Sequence, residues 1–190
     1  SSVLLSLFAP YKDFVYVLGD FNDWTPSADY LMHKETQGAD STWFWLEIDG
    51  LTPGQEYVFQ YLVDGEIRIA DPYSELTLHH DDDPYIPSNV YPNIPAYPYG
   101  KTSFSVGVLQ PGAVEYAWTS TNYERPETKD LVIYELLLRD FLEESSYQTL
   151  IDTLDYIDRL GVTAIELMPV NEFEGNESWG YNPSYHGALD

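Results

Sequence analysis

The side chains that could do chemistry in this sequence are carboxylates and aromatic rings. The chain of 190 residues carries 32 Asp and Glu, 17 Tyr and 5 Trp. Carboxylates serve as general acids, bases and nucleophiles, whereas flat amphipathic rings suit both sugar faces and β-rich cores. The run at 79–83 (HHDDD) could hold a hard cation through oxygen ligands. It lacks the spacing of a calcium loop, so a solvated turn is the favoured interpretation.

Net charge and composition exclude several classes of partner. Only 8 Lys and Arg oppose the acids, which gives a formal charge of -24. A nucleic-acid binder needs clustered cations, and an anionic membrane surface would repel this chain. The absence of cysteine excludes disulfides, thiol catalysis and cysteine-ligated zinc. We predict no metal and no cofactor. We also predict no membrane span, because the sequence has no apolar run of about 18 residues.

The first 110 residues or so have the pattern of an all-β domain. Short β-rich runs alternate with turn residues, and VDGE at 63–66 marks a tight hairpin. Strands are predicted at 3–8, 14–18, 43–48, 57–63 and 102–108. Many short strands with frequent turns favour an immunoglobulin-like sandwich.

The strand at 43–48 raises a question about its second face. Alternation places Trp43, Trp45 and Glu47 together, opposite an apolar face. Packing between domains is the favoured interpretation of this aromatic face, and sugar binding is the alternative.

Two segments link the β-rich part to the rest of the chain. Residues 71–100 become rich in Pro and Tyr, and this density of proline blocks both helix and central strand. We predict an extended, ordered connector there. The polar stretch within 109–129 is predicted to be a linker.

From residue 130 the pattern changes to strand, helix, strand. The apolar run 131–138 predicts a strand buried on both faces. Ser145 as N-cap with Gln148 three residues later predicts a helix start, and Gly161 predicts its end. A second buried strand follows at 162–168. A βαβ unit with short joints predicts two parallel strands.

A parallel sheet of two strands leaves faces and edges uncovered. We therefore expect this sequence to be the front end of a longer protein. We also expect the chain on its own to self-associate through the exposed partial barrel, because large apolar patches drive association.

Three segments in the second half carry a family resemblance. Residues 132–141 (VIYELLLRDF) resemble the first barrel strand of the α-amylase superfamily, glycoside hydrolase family 13. Residues 164–173 (AIELMPVNEF) resemble its second strand and following loop, and 179–183 (WGYNP) resemble the signature loop beyond. The match is nearest to the branching-enzyme, isoamylase and trehalohydrolase side of the family.

The N-terminal half resembles the glycogen-binding or isoamylase-type sandwich that precedes such barrels. Residues 15–24 (VYVLGDFNDW) and 59–65 (FQYLVDG) carry that match. In glycan-binding versions a Trp after Phe-Asn stacks on glucose, and Trp24 matches it. A lysine of the family is replaced by Gln60, and a second Trp by about Ile67. The resemblance thus implies a glycan surface at Trp24 and leaves a purely bracing role as the alternative.

The resemblance implies retaining hydrolysis or transfer at α-glucosidic bonds. This chemistry uses a carboxylate nucleophile and a carboxylic acid about 5–5.5 Å apart. In this family the two, with a stabilising carboxylate, lie at the ends of strands four, five and seven. We therefore assign no catalytic residue in this chain. Glu135 and Glu166 lie in the two predicted strands, and we interpret both as structural.

The loop after the second strand lies where barrel active sites gather. Tyr181 matches the family tyrosine that stacks on the sugar ring beside the cleaved bond, and Trp179 would shape the pocket wall. Asn182 and His186 are further candidates for polar contacts. Core packing of the loop is the alternative for both rings.

The predicted architecture is an immunoglobulin-like β-sandwich (1–108), a linker (109–129) and the first βαβ unit of an incomplete (β/α)8 TIM barrel (130–190). The predicted parent is an enzyme acting on starch, glycogen or maltooligosaccharides through α-1,4 or α-1,6 bonds, with this chain inactive alone. A non-catalytic glycan-binding module and a scaffold with a degenerate barrel remain alternatives. The substrate type favours a periplasmic or secreted location, with a cytoplasmic one left open.

Overall fold

The structure is a computed structural model that describes residues 1–38 and 40–190. It divides into two compact units, which we describe separately. The first unit contains residues 1–84, 95–114 and 185–189, and the second contains residues 85–94, 115–184 and 190. No helix in the described ranges is both long and apolar enough to span a bilayer.

Within the described residues, the first unit contains eight strands. They are β1 (Val3–Phe8), β2 (Val15–Gly19), β3 (His33–Thr36), β4 (Thr42–Ile48), β5 (Tyr57–Val63), β6 (Ile67–Ile69), β7 (Thr77–Leu78) and β8 (Val106–Leu109). The strands predicted at 3–8, 14–18, 43–48 and 57–63 are present, and the one predicted at 102–108 is shorter and begins at Val106.

These strands form two antiparallel sheets. The small sheet has the order β1-β4-β3, and the large sheet has the order β2-β5-β8-β7 with β6 also paired to β5. One apolar cluster joins them, since Phe44 and Leu46 of the small sheet and Val17, Phe59 and Tyr61 of the large sheet are buried together. The alternation predicted for 43–48 is confirmed, because inward residues of β4 are buried and outward ones exposed.

All seven residues of strand β5 are buried. Its outward face is covered by the segment 95–105. Gln60 donates from Nε2 to the carbonyl oxygens of Ser103 (2.9 Å) and Ser105 (2.8 Å), and its Oε1 accepts from the Thr102 hydroxyl. This fully bonded amide is tolerated in the interior because every polar atom has a partner.

The turn after β5 is the predicted tight hairpin. Asp64 (φ 53°) and Gly65 (φ 75°) occupy the left-handed region, as a two-residue hairpin with matched twist requires. Asp64 Oδ1 accepts hydrogen bonds from the main-chain N–H groups of Asp13 (2.8 Å) and Phe14 (3.3 Å). The carboxylate thereby fastens this hairpin to the start of β2.

The second unit contains a βαβ arrangement. Its elements are β9 (Ile133–Leu136), the short helix α1 (Leu138–Phe141), the helix α2 (Tyr147–Arg159) and β10 (Ala164–Leu167). The two strands are parallel, with Ala164 opposite Ile133 and Leu167 opposite Leu136. The predicted parallel pairing is confirmed. Helix α1 was not predicted.

Helix α2 covers one side of this two-stranded sheet. Leu150 and Ile157 from the helix are buried with Leu136 from β9. Gly161 (φ 81°) follows the helix in the predicted left-handed conformation.

Two predictions for this unit need correction. The N-cap is Ser146 rather than Ser145, because Ser146 Oγ accepts the N–H of Thr149 at 3.2 Å while Ser145 Oγ donates to the Arg139 carbonyl. Neither β9 nor β10 is buried on both faces, since Ile133 is 56% exposed and Leu167 is 36% exposed. A single helix can cover only one face of a two-stranded sheet.

Candidate functional site

The carboxyl ends of β9 and β10 meet at one edge of their sheet because the strands are parallel and in register. Arg139 and Asp140 follow β9 at this edge. Residues 169–184, which we call the returning loop, follow β10. Active sites of barrels built from such units lie at this edge, so the candidate site is assembled from these two segments.

The returning loop folds back on itself. Phe173 forms an antiparallel bridge with Pro183, and the N–H of Ser184 donates to the carbonyl of Glu172 at 2.7 Å. The Phe173 side chain is buried and anchors the loop. These contacts close the loop at its base, so residues 174–182 form a single closed loop.

Gly180 fixes the loop between the two candidate sugar-contacting rings. Its φ is +80°, and a Cβ added there would lie 2.2 Å from the carbonyl oxygen of Pro169. Only glycine allows so close an approach of two backbones with this conformation. Trp179 and Tyr181 are consequently held on either side of a point that cannot carry a side chain.

Arg139 ties the two segments of the site together. Its Nη1 donates 3.1 Å to the carbonyl oxygen of Ser178, and its Nε donates 2.8 Å to Asp140 Oδ1. The hydrogen bond from Arg139 lowers the pKa of the Asp140 carboxyl, and the same bond raises the pKa of the guanidinium. Both groups therefore keep their charges across the working pH range of an enzyme.

Within the loop, Ser178 is the polar centre. Its Oγ accepts the N–H of Gly180 at 3.1 Å, and its hydroxyl is bonded to Asn182 Oδ1. Asn182 thus supports the loop.

The structure brings the predicted residues Trp179 and Tyr181 into this loop with their rings at the surface. Trp179 is 65% exposed and Tyr181 is 67% exposed. Rings this open can stack on a sugar face without any rearrangement of a core. His186 lies in the first unit and is not part of the returning loop.

Glu135 and Glu166 occupy opposite positions in the pairing of β9 and β10, and both are exposed. Two carboxylates on neighbouring strands at this spacing repel one another. Their interpretation as structural residues of a larger sheet stays a prediction.

Trp24 lies away from the surface. It is 5% exposed, and its Nε1 donates 3.2 Å to Asp20 Oδ1, while Asp20 Oδ2 accepts the N–H of Val58. This placement argues against the predicted glycan platform at Trp24, because a buried ring offers no flat face to a sugar. The position that matches the family lysine, Gln60, is likewise buried.

The segment 79–83 forms a turn whose carboxylates are used internally. Asp82 Oδ2 lies 2.9 Å from His79 Nδ1, and Asp83 Oδ2 accepts the N–H of His79. Partial burial raises the pKa of Asp83. Among residues 1–38 and 40–190, no group of three His, Asp or Glu side chains is arranged to hold a metal ion.

Sequence reasoning missed Arg139 and Ser178. The contact between them joins a side chain to a main-chain carbonyl, and such a bond leaves no signature in residue type or spacing. Gly180 could have been found, because it stands inside the WGYNP motif.

Comparison with known proteins gives consistent relatives. No protein-family model matches the chain. A malto-oligosyltrehalose trehalohydrolase from Saccharolobus solfataricus is 28% identical over 176 residues, which cover 89% of this chain and 27% of the relative. The 1,4-alpha-glucan branching enzyme GlgB from Bacillus subtilis is 33% identical over 183 residues, which cover 92% of this chain and 26% of the relative. The chain spans about a quarter of the length of these relatives.

Solved structures agree on the fold. A putative alpha amylase from Salmonella typhimurium matches with a TM-score of 0.66 and 24% identity, covering 99% of this chain and 26% of that one. The catalytic module of the glycogen-degrading pneumococcal virulence factor SpuA matches with a TM-score of 0.63 and 21% identity, covering 99% and 30%. The chain therefore has the fold found in part of these alpha-amylase-type proteins.

The relatives define a class of carbohydrate-active enzyme, namely trehalohydrolases and branching enzymes. Both are members of the α-amylase superfamily, so the resemblance to glycoside hydrolase family 13 predicted from the three motifs is confirmed.

Proposed function

We propose that this chain is the N-terminal part of an α-glucan-active glycoside hydrolase or transglycosidase. The observation that carries the proposal is the parallel pair β9–β10 with an exposed Trp179-Gly180-Tyr181 segment at its carboxyl edge. The names of the relatives, which act on malto-oligosyltrehalose and 1,4-α-glucan, support the substrate class. In the whole protein the substrate would be starch, glycogen or a maltooligosaccharide.

We propose the corresponding domain organisation. Residues 1–108 form an immunoglobulin-like β-sandwich, 109–129 a linker, and 130–190 the first βαβ unit of a (β/α)8 barrel. Two antiparallel sheets around one core support the sandwich, and the parallel strands with their covering helix support the barrel unit.

The proposed roles of the site residues follow from their placement. The Tyr181 ring stacks on the sugar beside the cleaved bond, which orients the ring and shields an oxocarbenium-like transition state. Trp179 forms part of the pocket wall. Arg139 acts as a positioning residue, because its guanidinium donates to the loop backbone at Ser178.

The retaining chemistry itself needs a carboxylate nucleophile and an acid about 5–5.5 Å apart. We propose that later strands of the whole protein supply these groups. The 190-residue chain alone is therefore expected to be inactive.

The test compares two proteins on glycogen and maltoheptaose. The protein that extends this chain through the later barrel strands is expected to cleave or transfer α-glucosidic bonds, and the 190-residue chain is expected to release no reducing sugar. In the longer protein, Tyr181→Ala should lower kcat/KM by about a hundredfold while Tyr181→Phe retains most activity, if stacking is the role. Tyr123→Ala is the matched control, because Tyr123 is also exposed.

Other outcomes discriminate among the alternatives. Activity in the short chain would contradict the assignment of the catalytic groups to later strands. The family places three carboxyl groups at the ends of strands four, five and seven. Their absence from the longer protein, together with its inactivity, would favour a scaffold with a degenerate barrel.

A further inference from the structure

The outward face of the small sheet carries two pairs of packed aromatic rings. Residues opposite one another in an antiparallel pair point to the same face, so the register defines three cross-strand rows. The rows are Phe8–Trp43–Glu35, Ser6–Trp45–His33 and Leu4–Glu47. We call this surface the tryptophan face.

Its rings are supported by their neighbours and open to solvent. The Phe8 and Trp43 ring centroids are 5.1 Å apart, and those of His33 and Trp45 are 4.4 Å apart. Trp43 remains 41% exposed and Trp45 39% exposed. Each indole therefore packs against another ring and keeps about two fifths of its surface exposed to solvent.

The two outer faces of the first unit are not equivalent. The outer face of the large sheet is covered around Gln60 by the segment 95–105. In this segment Tyr97 is buried, and its hydroxyl donates to the Phe104 carbonyl at 2.7 Å. Trp24 is also buried. The tryptophan face is thus an aromatic surface of the first unit that a ligand can reach.

The chemistry of the face selects a neutral polyhydroxyl ligand. Two indoles at i and i+2 of one strand lie about 7 Å apart and offer flat apolar surface to the C–H faces of sugar rings. Glu35 and Glu47 on the same face offer carboxylate oxygens to sugar hydroxyls. An anionic ligand would meet these carboxylates and a chain of formal charge -24.

We propose that the tryptophan face binds a segment of α-glucan at a site separate from the returning loop. The choice of an α-glucan over another neutral glycan rests on the proposed function. A surface of this kind contacts a long polymer at more points than a short oligosaccharide, so we expect it to favour glycogen over maltoheptaose.

The test measures binding of glycogen and maltoheptaose to the 190-residue chain by affinity electrophoresis and calorimetry. The double variant Trp43→Thr/Trp45→Thr is expected to bind glycogen at least about tenfold more weakly, because truncating aromatic anchors removes much of the binding free energy. Threonine keeps the β-propensity of the strand. Circular dichroism and the thermal unfolding midpoint check that the variant is folded.

Two matched controls locate the effect. Trp118→Thr removes another exposed tryptophan and should leave the affinity unchanged. Trp179→Ala/Tyr181→Ala removes the loop rings and measures how much of the glycogen binding depends on the returning loop. A change in indole fluorescence on adding maltoheptaose should be seen in the wild type and lost in the Trp43/Trp45 variant.

The outcomes separate this proposal from the proposed function. No glycogen binding by the wild type, or equal binding by the folded double variant, would overturn the tryptophan face and leave the loop kinetics of the longer protein untouched. Loss of glycogen binding in Trp179→Ala/Tyr181→Ala but not in the Trp43/Trp45 variant would also overturn the tryptophan face as the binding site. Equal binding of a β-1,4-glucan would overturn the α-glucan assignment. Self-association that disappears in the double variant would identify the face as an interface between copies instead.

Discussion

Arg139 donates a hydrogen bond of 3.1 Å from Nη1 to the main-chain carbonyl oxygen of Ser178. The bond joins the chain just beyond β9 to the returning loop beyond β10. A charged donor strengthens such a bond, and the loop it reaches carries both exposed rings of the candidate site. The position of these rings is therefore tied to the end of β9 through a bond to the loop backbone.

Replacement of Arg139 should loosen the returning loop. In Arg139→Met the amides of residues 178–181 are expected to exchange with solvent about fivefold faster, because a charge-assisted bond is lost. Hydrogen exchange read by mass spectrometry is the measurement. Arg125→Met, at an exposed arginine, is the control, and equal exchange in both variants would show that the bond does not order the loop.

Two glycines of the same loop provide a matched pair for backbone strain. Gly175 and Gly180 have φ of +82° and +80°, but only at Gly180 would a Cβ meet another atom, the Pro169 carbonyl oxygen at 2.2 Å. Gly175→Ala should cost about 1 kcal/mol of local stability from conformation alone. Gly180→Ala should cost clearly more, as measured by denaturant unfolding and loop exchange. Equal losses would mean that the close approach at Pro169 relaxes freely.

The buried amide of Gln60 should be a large contributor to the stability of the first unit. In Gln60→Met the carbonyls of Ser103 and Ser105 lose their donor, and a loss of about 2 kcal/mol in the free energy of unfolding is expected. Urea unfolding measures it. Gln110→Met, which removes one exposed bond to the Gly54 carbonyl, should cost well under half as much.

Asp64 should make the first unit sensitive to acid. The main-chain N–H of Asp13, followed by that of Phe14 and by Lys12, lowers the pKa of its carboxyl in the folded state. A lowered folded-state pKa means that the stabilisation is present above the ordinary pKa of about 3.9 and is lost as pH falls through the folded value.

The variant Asp64→Asn tests this pH dependence, because Asn tolerates the left-handed conformation as Asp does. The wild type should be more stable than Asp64→Asn at pH 7, and the difference should shrink below about pH 4. Asp49→Asn, at an exposed position, should show no such trend. A difference that stays constant down to pH 2.5 would assign the effect to something other than the carboxylate charge.

The isolated chain is expected to self-associate through the second unit. Val132, Ile133 and Leu167 are exposed on or beside the two strands, and exposed apolar surface drives association. Light scattering over a hundredfold range of concentration should show growth in mass, and Ile133→Lys should reduce it. A monomer whose strand amides are nonetheless protected from exchange would contradict the expectation.

Much of the fold could be predicted where local pattern and tertiary environment agree. The alternation in β4, the hairpin at Asp64-Gly65 and the helical repeat of α2 each follow from side-chain period or from left-handed turn residues. The short strands β3, β6 and β7 were missed, because four residues or fewer give too little pattern to separate a strand from a loop.

The candidate site divides along the same line. The motif residues Trp179, Gly180 and Tyr181 were recognisable from their types and order. The burial of Trp24 could not be foreseen from the sequence. Its indole N–H donates a hydrogen bond to Asp20, four residues earlier, and such a contact leaves no alternating pattern of apolar residues. The N-cap was misplaced by one residue because Ser145 and Ser146 are chemically equivalent until the backbone chooses between them.

The sequence by itself determined the resemblance to the α-amylase superfamily, the parallel strand–helix–strand unit and the aromatic character of the surfaces. Only the tertiary structure decided which of the aromatic rings are open to a ligand, and it opened Trp43, Trp45, Trp179 and Tyr181 while burying Trp24. The physical reason is that periodicity assigns a side chain to one face of its own strand. Whether that face meets solvent depends on segments distant in sequence, such as the segment 95–105 that covers Gln60.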